Sequence, residues 1–359
     1  MKNRIIHCIL ILFLFACSKN PEEPEKNQQP EENKVQPSRF WSFTLGDITV
    51  IPNKLNVPTY RWFPDSHIAM LKDENADSMS TYIMFWSEFE NYRSVGPTPY
   101  PEDQRLLDPK TSIFGGRGNW EGYNNGGSWL NSVFRQSDNR LIGFYHAEDH
   151  WYPRNPDYIA WKSTGVATSD DNGRSWQDQG QIVTSSTPKP TAPKWGGAGD
   201  ACVIWHEEDK RWICYYQNHW IHMAMSEHPD AAPGTWFKHN AGDFSEKALG
   251  GKATPIAGLK SVPGSNPSVH YNTYLGLWIM VYHGWSPRCI YIASSIDGYR
   301  WSAPQQLVCG PEGGRAWYPT IIGESDVLAG ETARLYYAKF TQNDPREFVG
   351  RDIIFNRID

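Results

Sequence analysis

Pairs of apolar segments recur along the chain, and a short polar stretch separates the two members of each pair. The first members share a short polar start followed by a small residue and a β-branched one; they are DSHIAM (65–70), LNSVFR (130–135), DACVIW (200–205), NPSVHY (266–271) and YPTIIG (318–323). The second members are the apolar runs TYIMFWS (81–87), LIGFYH (141–146), RWICYYQ (211–217), LWIMVYH (277–283) and ARLYYA (333–338). Apolar runs of this length joined by turn-forming residues predict β-hairpins.

Three of the repeats continue into a third predicted strand that is followed by a tryptophan. They are GVATSDDNGRSW (165–176), IHMAMSEHPDAAPGTW (221–236) and IYIASSIDGYRW (290–301), and each carries Ala-x-Ser before the tryptophan. SDDNGRSW resembles the Asp-box of sialidases and other propellers, in which Asp and Gly close a turn and Trp packs between blades. We assign this motif a structural role only.

The spacing of the repeats predicts the fold class, which is all-β. The first segments start 65, 70, 66 and 52 residues apart, and five units of three to four strands each are typical of a five-bladed β-propeller. RFWSFTLGDITVI (39–51) is expected to complete the last blade beside GRDIIFNRI (350–358). A β-sandwich is the alternative.

The first residues predict a targeting segment rather than part of the fold. Lys2 and Arg4 precede an apolar run over residues 5–16, as in a secretory signal. LFAC (14–17) resembles the bacterial lipobox, which implies that Cys17 is lipid-modified, for example by palmitate; an ordinary signal peptide cut elsewhere is the alternative. Ser18 and the acidic run after it resemble outer-membrane and surface-exported lipoproteins of Bacteroidota.

These features predict three regions: a lipoprotein signal peptide (1–16), a disordered tether (17–38) and a propeller catalytic domain (39–359). Residues 18–38 hold one aliphatic residue, Val35, which is too little to bury a core. We therefore expect a monomer that is lipid-anchored to the outer membrane and faces the cell surface or the periplasm.

Composition narrows the function. Aromatic residues make up 14% of the chain, including 17 Trp, and the net charge is −6. Because no block of Lys or Arg is present, a nucleic-acid partner is not expected. Beyond the signal lie four cysteines. Cys202 and Cys214 fall on adjacent predicted strands and could pair or remain free thiols, and a bridge between Cys289 and Cys309 is also open.

Candidate chemistry collects at one predicted rim, where first strands start and second strands end. First-strand starts offer Asp65, His67, Asn131, Asp200, Asn266 and Tyr318, and second-strand ends offer Ser87, Glu88, His146, Glu148, Gln217, His219, His283, Trp285 and Lys339. The stretch HAEDHW (146–151) lies at this rim, and a His near a Trp recurs at His219 and at His283. Tryptophan faces with hydrogen-bonding groups suit a sugar ring, so we predict a poly- or oligosaccharide partner. Each single His could instead be a channel residue that hydrogen-bonds a backbone carbonyl.

Five blades with acidic strand starts resemble the superfamily of glycoside hydrolase families 43, 62, 32, 68 and 117. The resemblance implies an Asp base on the first blade, an orienting Asp on the second and a Glu acid on the third. Asp65 matches the first position. The second blade starts at Leu130, however, and the third offers Asp200 rather than Glu. Glu148 is the remaining candidate acid, and it follows a second strand.

Three hypotheses result, and all concern an enzyme or binding protein for glycans. In a hydrolase, Asp65 would be the base and Glu148 or Asp200 the acid. In β-elimination on a uronic acid, by a lyase or dehydratase, His146 would be the base; this resembles the chemistry of propeller polysaccharide lyases such as the ulvan lyases. A glycan-binding lipoprotein without catalysis is the third.

The elimination hypothesis comes first here because many His lie at the rim and the carboxylates depart from the hydrolase pattern. The predicted catalytic residues are His146, Glu148, His150, Asp65, Asp200 and Tyr318. The predicted substrate-binding residues are His67, His219, His283, Trp151, Trp285, Arg288 and Arg315. No metal motif is visible and no cofactor is predicted, although His and Asp near the axis could hold Ca²⁺ or Zn²⁺. The loop over residues 91–127 is expected to shape the pocket.

Overall fold

Five sheets of four or five strands follow one another along the chain. A computed structural model describes residues 40–53, 55, 63–88, 90–115, 122–152, 159–310, 315–340 and 346–358. The predicted signal peptide and tether lie outside these residues. In the described part, regular structure consists of strands and two short 3₁₀ turns, Pro101–Asp103 and Ala257–Leu259. None of its helical segments is long and apolar enough to span a bilayer.

Each sheet is one blade of a five-bladed β-propeller, as the repeat spacing predicts. Blade 1 contains β3 (Ala69–Lys72), β4 (Tyr82–Ser87), β5 (Asn91–Gly96) and β6 (Leu106–Leu107). Blade 2 contains β7 (Gly127–Arg135), β8 (Leu141–Asp149), β9 (Trp161–Ser169), β10 (Gln177–Val183) and the short β11 (Gly196–Gly197), which pairs parallel to β9. Blade 3 contains β12 (Gly199–His206), β13 (Arg211–Asn218), β14 (Trp220–Ser226), β15 (Phe237–Asn240) and β16 (Asp243–Lys247).

The last two blades are linked by a short strand that lies between two strands of blade 5 in the sequence and pairs in blade 4, and blade 5 uses the N-terminal segment. Blade 4 contains β17 (Gly264–Asn272), β18 (Leu277–Trp285), β19 (Arg288–Ser295), β20 (Gln305–Val308) and β22 (Leu328–Ala329), which pairs parallel to β17. Blade 5 contains β21 (Ala316–Ile322), β23 (Thr332–Lys339), β24 (Glu347–Arg357), β1 (Trp41–Leu45) and β2 (Thr49–Val50). The antiparallel pairing of β1 with β24 confirms the predicted closure of the ring, in which the N-terminal segment supplies the outer strand of the last blade beside the C-terminal strand.

The small and β-branched residues of the repeat connect neighbouring blades. The Ser132 hydroxyl in blade 2 accepts a hydrogen bond from the backbone N–H of Val203 in blade 3, at 3.0 Å. The Thr320 hydroxyl in blade 5 accepts one from the N–H of Ile68 in blade 1, at 3.1 Å. These buried N–H groups belong to first strands, whose inner edges have no partner strand, so the side chains satisfy donors that would otherwise be lost.

The repeated tryptophans pack against the preceding blade. Trp176 lies edge-on to Phe85 of blade 1, Trp236 to Phe144 of blade 2 and Trp301 to Tyr215 of blade 3. Within the Asp-box, Asp171 accepts hydrogen bonds from the Ser169 hydroxyl and from the backbone and side chain of Ser175. The motif therefore has the structural role predicted for it: it closes a turn and wedges two blades together.

The four cysteines of the propeller divide into one bridge and two thiols. Cys289 and Cys309 form a disulfide that ties β19 to the end of β20. Cys202 and Cys214 are free and buried, and burial raises the pKa of the Cys202 thiol to about 12. These two thiols are therefore core groups with little thiolate character at neutral pH.

Candidate active site

A cavity of about 660 Å³ opens at the end of the propeller where first strands begin and second strands end. This is the rim that the strand pattern predicts. It brings together carboxyl groups from three blades, two lysines and several tryptophans; the residues used below are Asp65, His146, Glu148, Lys162, Lys194, Trp195, Asp200, His219, Trp285 and Tyr318.

Two of the cavity residues lie on irregular backbone. The pairing of β12 with β13 shifts register between Gly199 and Cys202, and Asp200 has φ +47°. Tyr318 has φ +56° at the corresponding shift in β21. A non-glycine residue in the left-handed region costs of order 1 kcal/mol or more, and such residues concentrate at functional sites. The bulges redirect the starts of these first strands where they meet the cavity.

Asp65 is held by a cation on one of its two carboxyl oxygens. Its Oδ1 accepts a hydrogen bond from Arg346 Nη1 at 2.5 Å and one from the Tyr318 hydroxyl at 3.2 Å. Burial raises the pKa of Asp65 above its ordinary value, although the Arg346 guanidinium opposes the shift. Among the described residues, no hydrogen-bond partner reaches Oδ2. Asp65 therefore has one free oxygen and an increased affinity for a proton.

Asp200 has the opposite electrostatic surroundings. Burial would raise its pKa, but the Lys162 ammonium, 2.6 Å from Oδ2, outweighs this and lowers the pKa. Lys162 is buried as well, and the carboxylates of Asp200 and Glu148 raise its pKa against the effect of burial. Oδ1 of Asp200 lies 3.8 Å from His146 Nδ1, beyond hydrogen-bond distance. Asp200 is therefore ionised, and no described residue hydrogen-bonds its Oδ1.

Glu148 is enclosed by the two histidines of the HAEDHW stretch. His146 Nε2 lies 3.3 Å from Oε1, and His150 Nε2 lies 2.9 Å from Oε2. Burial would raise the pKa of Glu148, but these hydrogen bonds outweigh it and lower the pKa to about 2. Both carboxylate oxygens are occupied and the group is ionised, so it does not suit the role of proton donor.

His146 cannot serve as the base that the elimination hypothesis requires. Its Nδ1 accepts a hydrogen bond from the backbone N–H of Asp200 at 2.9 Å, so the proton of the neutral ring is on Nε2, which faces Glu148. Neither ring nitrogen is free to take a proton from a substrate. His150 is buried behind Glu148 and does not line the cavity.

Only two of the predicted substrate-binding residues line the cavity. His219 lies edge-on to Trp285, with 5.4 Å between ring centroids, and both belong to the cavity wall. His67 is buried, and burial lowers its pKa to about 4. His283 is buried too, where Nδ1 donates to the Ala316 carbonyl and the ring stacks on Trp317. His283 is thus the channel residue that the structural alternative describes.

The other predicted binding residues lie elsewhere. Arg288 and Arg315 are exposed and do not line the cavity. Trp151 faces the segment over residues 184–197, where its Nε1 donates to the Pro190 carbonyl at 2.8 Å. None of the described residues of the predicted loop 91–127 lines the cavity either. The loop that contributes to the wall is instead the segment 184–197, through Ser185, Thr187 and residues 194–197.

Three candidate functional residues are not among those predicted from the sequence. Lys162 and Arg346 pair with the two carboxylates that have a free oxygen, and Trp195 lines the cavity mouth. A tryptophan in a polar, proline-containing loop, KPTAPKWGG (189–197), was the available signal for Trp195. In the described residues, no group of three or more His, Cys, Asp or Glu side chains is arranged to hold a metal ion.

Comparison with known proteins gives a likeness at the level of the fold. No protein-family model and no curated protein matches the chain. Zg3597, a family 117 glycoside hydrolase from the marine bacterium Zobellia galactanivorans, is similar over 90% of this chain and 94% of that chain, with a TM-score of 0.53 and 10% identity.

Two further solved structures are similar over most of their length. A thermostable family-43 glycoside hydrolase matches over 87% of this chain and 93% of that chain, with 13% identity and a TM-score of 0.46. A putative glycoside hydrolase from Bacteroides ovatus matches over 87% and 97%, with 14% identity and a TM-score of 0.47. At such identities the likeness concerns the fold alone, and the chain shares its five-bladed propeller arrangement with propellers of glycoside hydrolases.

Proposed function

We propose that the protein is a glycoside hydrolase in which Asp65 and Asp200 are the two reacting carboxyl groups. One observation carries this proposal. Both residues line the same cavity, each has one oxygen to which no described residue hydrogen-bonds, and their surroundings shift their pKa values in opposite directions. Glycosidic hydrolysis needs such a pair, because one group must donate a proton while the other remains ionised.

The directions of the pKa shifts support roles that are the reverse of those implied by the sequence resemblance. Asp65, whose pKa is raised, is the general acid: Oδ2 carries the proton to the glycosidic oxygen, while Oδ1 keeps Arg346 and Tyr318. Asp200 is ionised, and its Oδ1 either takes a proton from the water that attacks the anomeric carbon or attacks that carbon itself, as the bond to the protonated leaving oxygen breaks. Lys162 keeps Asp200 ionised before the reaction begins.

The cavity wall supports a carbohydrate substrate. Five tryptophans line the cavity: Trp129, Trp161, Trp195, Trp285 and Trp317. The C–H face of a sugar ring packs on an aromatic face, and the ring hydroxyls need donors and acceptors. Gln217, Asn218 and Ser185 of the wall provide such groups.

Elimination is less well supported because its base and its charge-neutralising group are missing from the predicted positions. His146 has both ring nitrogens engaged, as described above, and His67 lies outside the wall. Arg288 and Arg315, proposed to neutralise a uronate carboxylate, do not reach the cavity either.

The test is to replace each carboxylate and follow two products. Purified wild-type protein, Asp65→Asn and Asp200→Asn are incubated with a panel of neutral, uronic and sulfated polysaccharides. Reducing ends and absorbance near 232 nm are both measured. We expect reducing ends without absorbance in the wild type and a loss of roughly 10³-fold or more in each variant. Asp170→Asn, at an exposed turn position, is the matched control.

Other outcomes would overturn the proposal. Rising absorbance would identify a lyase or dehydratase. Full activity of either Asp variant would remove that residue from the chemistry. Binding of a glycan without formation of any product would indicate a glycan-binding protein rather than an enzyme.

We also propose that the protein is a lipid-anchored monomer of the outer membrane. The lipobox-like LFAC (14–17) and the polar composition of residues 18–38 support this. Labelling cells with a palmitate analogue should mark the wild type and leave Cys17→Ala unlabelled, and fractionation should move that variant out of the membrane. Equal labelling of both proteins would exclude lipidation at Cys17. Size-exclusion chromatography of Cys17→Ala should give the mass of one chain.

A further inference from the structure

We propose that Trp195 and Lys194 form an outer sugar subsite that selects a negatively charged sugar residue. This rests on the proposed function in so far as the ligand is a glycan. The charged group is an anion carried on a sugar ring, either a uronate carboxylate or a sulfate ester. The subsite lies on the segment 184–197, none of whose residues has a catalytic role in the proposed reaction.

The segment is fixed to the protein within its proline-containing part and again at its end. Lys189 Nζ donates to Asp149 Oδ1 and to the His150 carbonyl, both at 2.6 Å, and lies 4.4 Å from the centroid of the Trp151 ring. Trp151 Nε1 in turn donates to the Pro190 carbonyl at 2.8 Å. These contacts attach the segment to HAEDHW, the same stretch that supplies Glu148.

The other end is fixed by a glycine. Gly196 and Gly197 pair parallel with Trp161 and Lys162 of β9. Gly197 has φ +97°, and a Cβ at this position would come within 2.1 Å of the Lys162 carbonyl oxygen. Only glycine fits this close approach. Lys194 and Trp195 are therefore followed directly by a fixed backbone, which restricts where their side chains can lie.

Trp195 offers an open aromatic surface at this place. Its side chain lines the cavity, yet 53% of the residue is exposed. The Lys162 ammonium lies 5.6 Å from its ring centroid, which connects it to the Asp200 end of the cavity. Single exposed apolar residues are common. One that stands on a fixed backbone at a cavity mouth is suited to stack on a ligand ring.

Lys194 supplies a charge that the protein itself does not neutralise. Three other cations of this region already form ion pairs with carboxylates: Lys162 with Asp200, Arg346 with Asp65 and Lys189 with Asp149. Lys194 is exposed, lines the cavity and has no hydrogen bond or ion pair with any described residue. A sugar stacked on the adjacent Trp195 would present its substituents to this ammonium. An anionic substituent is the chemistry that pairs with it.

The experiment compares charged glycans with their neutralised counterparts. Binding to the purified full chain is measured by calorimetry for oligogalacturonides and carboxyl-reduced oligogalacturonides, and for sulfated galactan oligosaccharides and desulfated ones. At least one charged glycan should bind about tenfold more tightly than its neutral partner. Lys194→Gln should remove this preference, while Lys260→Gln, an exposed control, should keep it. Trp195→Ala should weaken both partners, and Trp195→Phe should restore part of the binding.

The arm that shows the preference identifies the anion as carboxylate or sulfate. Equal binding of charged and neutral partners, an unchanged preference in Lys194→Gln, or no binding of any charged glycan would each overturn the subsite. The result is separable from the proposed function. A charge preference without release of reducing ends would retain the subsite and reject the hydrolase, and cleavage without preference would do the reverse.

Discussion

Nδ1 of His146 accepts a hydrogen bond from the backbone N–H of Asp200, with 2.9 Å between the nitrogens. The ring thus joins the start of one blade's first strand to the end of the preceding blade's second strand, while its other nitrogen faces Glu148. His146 is therefore a positioning residue for two acidic groups rather than a proton acceptor. The first prediction follows from this relationship.

Replacing His146 should impair turnover through position and leave the pH dependence unchanged. An asparagine oxygen can take over the acceptor role of Nδ1, whereas alanine cannot. We expect kcat to fall about 10²-fold in His146→Ala, because small displacements of reacting groups have effects of this size, and to fall less in His146→Asn. If both variants were equally inactive and the pH profile lost a limb, His146 would be the base after all.

The pH profile should reveal Asp65 as the acid. Burial raises its pKa, so the protonated, active form is present below that pKa and is lost as the pH rises through it. Arg346→Gln removes the cation that opposes the shift, and the alkaline limb of kcat/KM should therefore move to higher pH. Arg105→Gln, whose partner Asp103 lies outside the cavity, is the control. A limb that moves to lower pH would assign it to another group.

Protonation of Glu148 should lower the free energy of unfolding of the protein in acid. Its pKa is about 2 in the folded state against 4.5 for the ordinary side chain, so its contribution is complete above 4.5 and is lost as the pH falls towards 2. The difference corresponds to about 3 kcal/mol. Urea unfolding between pH 6 and 3 should show a smaller pH dependence in Glu148→Gln than in the wild type. Parallel curves for the two proteins would contradict this.

The disulfide should stabilise the fourth blade. Its two cysteines are 20 residues apart in sequence, and closing a loop of this length in the unfolded chain contributes about 3 kcal/mol. The free energy of unfolding of the double variant Cys289→Ser/Cys309→Ser should be lower by this amount, so that it unfolds at a lower denaturant concentration. Reduction of the wild type should have the same effect. A reductant that shifts the double variant as well would be acting elsewhere.

The blades could be predicted from the sequence because each residue of the repeat has a local task. The small residue before a β-branched one recurs because it accepts an N–H group from the next blade, as Ser132 does from Val203. The tryptophan after Ala-x-Ser recurs because it wedges against the preceding blade, as Trp176 does against Phe85. Such tasks repeat with the blades and therefore leave a periodic signal.

The contacts that decide the chemistry of the site do not repeat with the blades and therefore leave no periodic signal in the sequence. A histidine at the rim looks the same in the sequence whether its nitrogens are free or engaged, and only the contacts of His146 and His283 decide the question. Arg346 reaches Asp65 across a separation of 281 residues. This pairing is not part of the repeated pattern, so the periodicity of the sequence does not indicate it.

The closure of the ring determines on which face of the propeller the described chain begins. In blade 5, Lys339 and Glu347 pair at the cavity end, so β24 runs away from the cavity and Arg357 lies at the far end. Trp41 pairs with Arg357, and the chain therefore enters the propeller at the face opposite the cavity. The point at which the chain enters the propeller therefore does not obstruct the opening, and a long polymer could approach the cavity without meeting it.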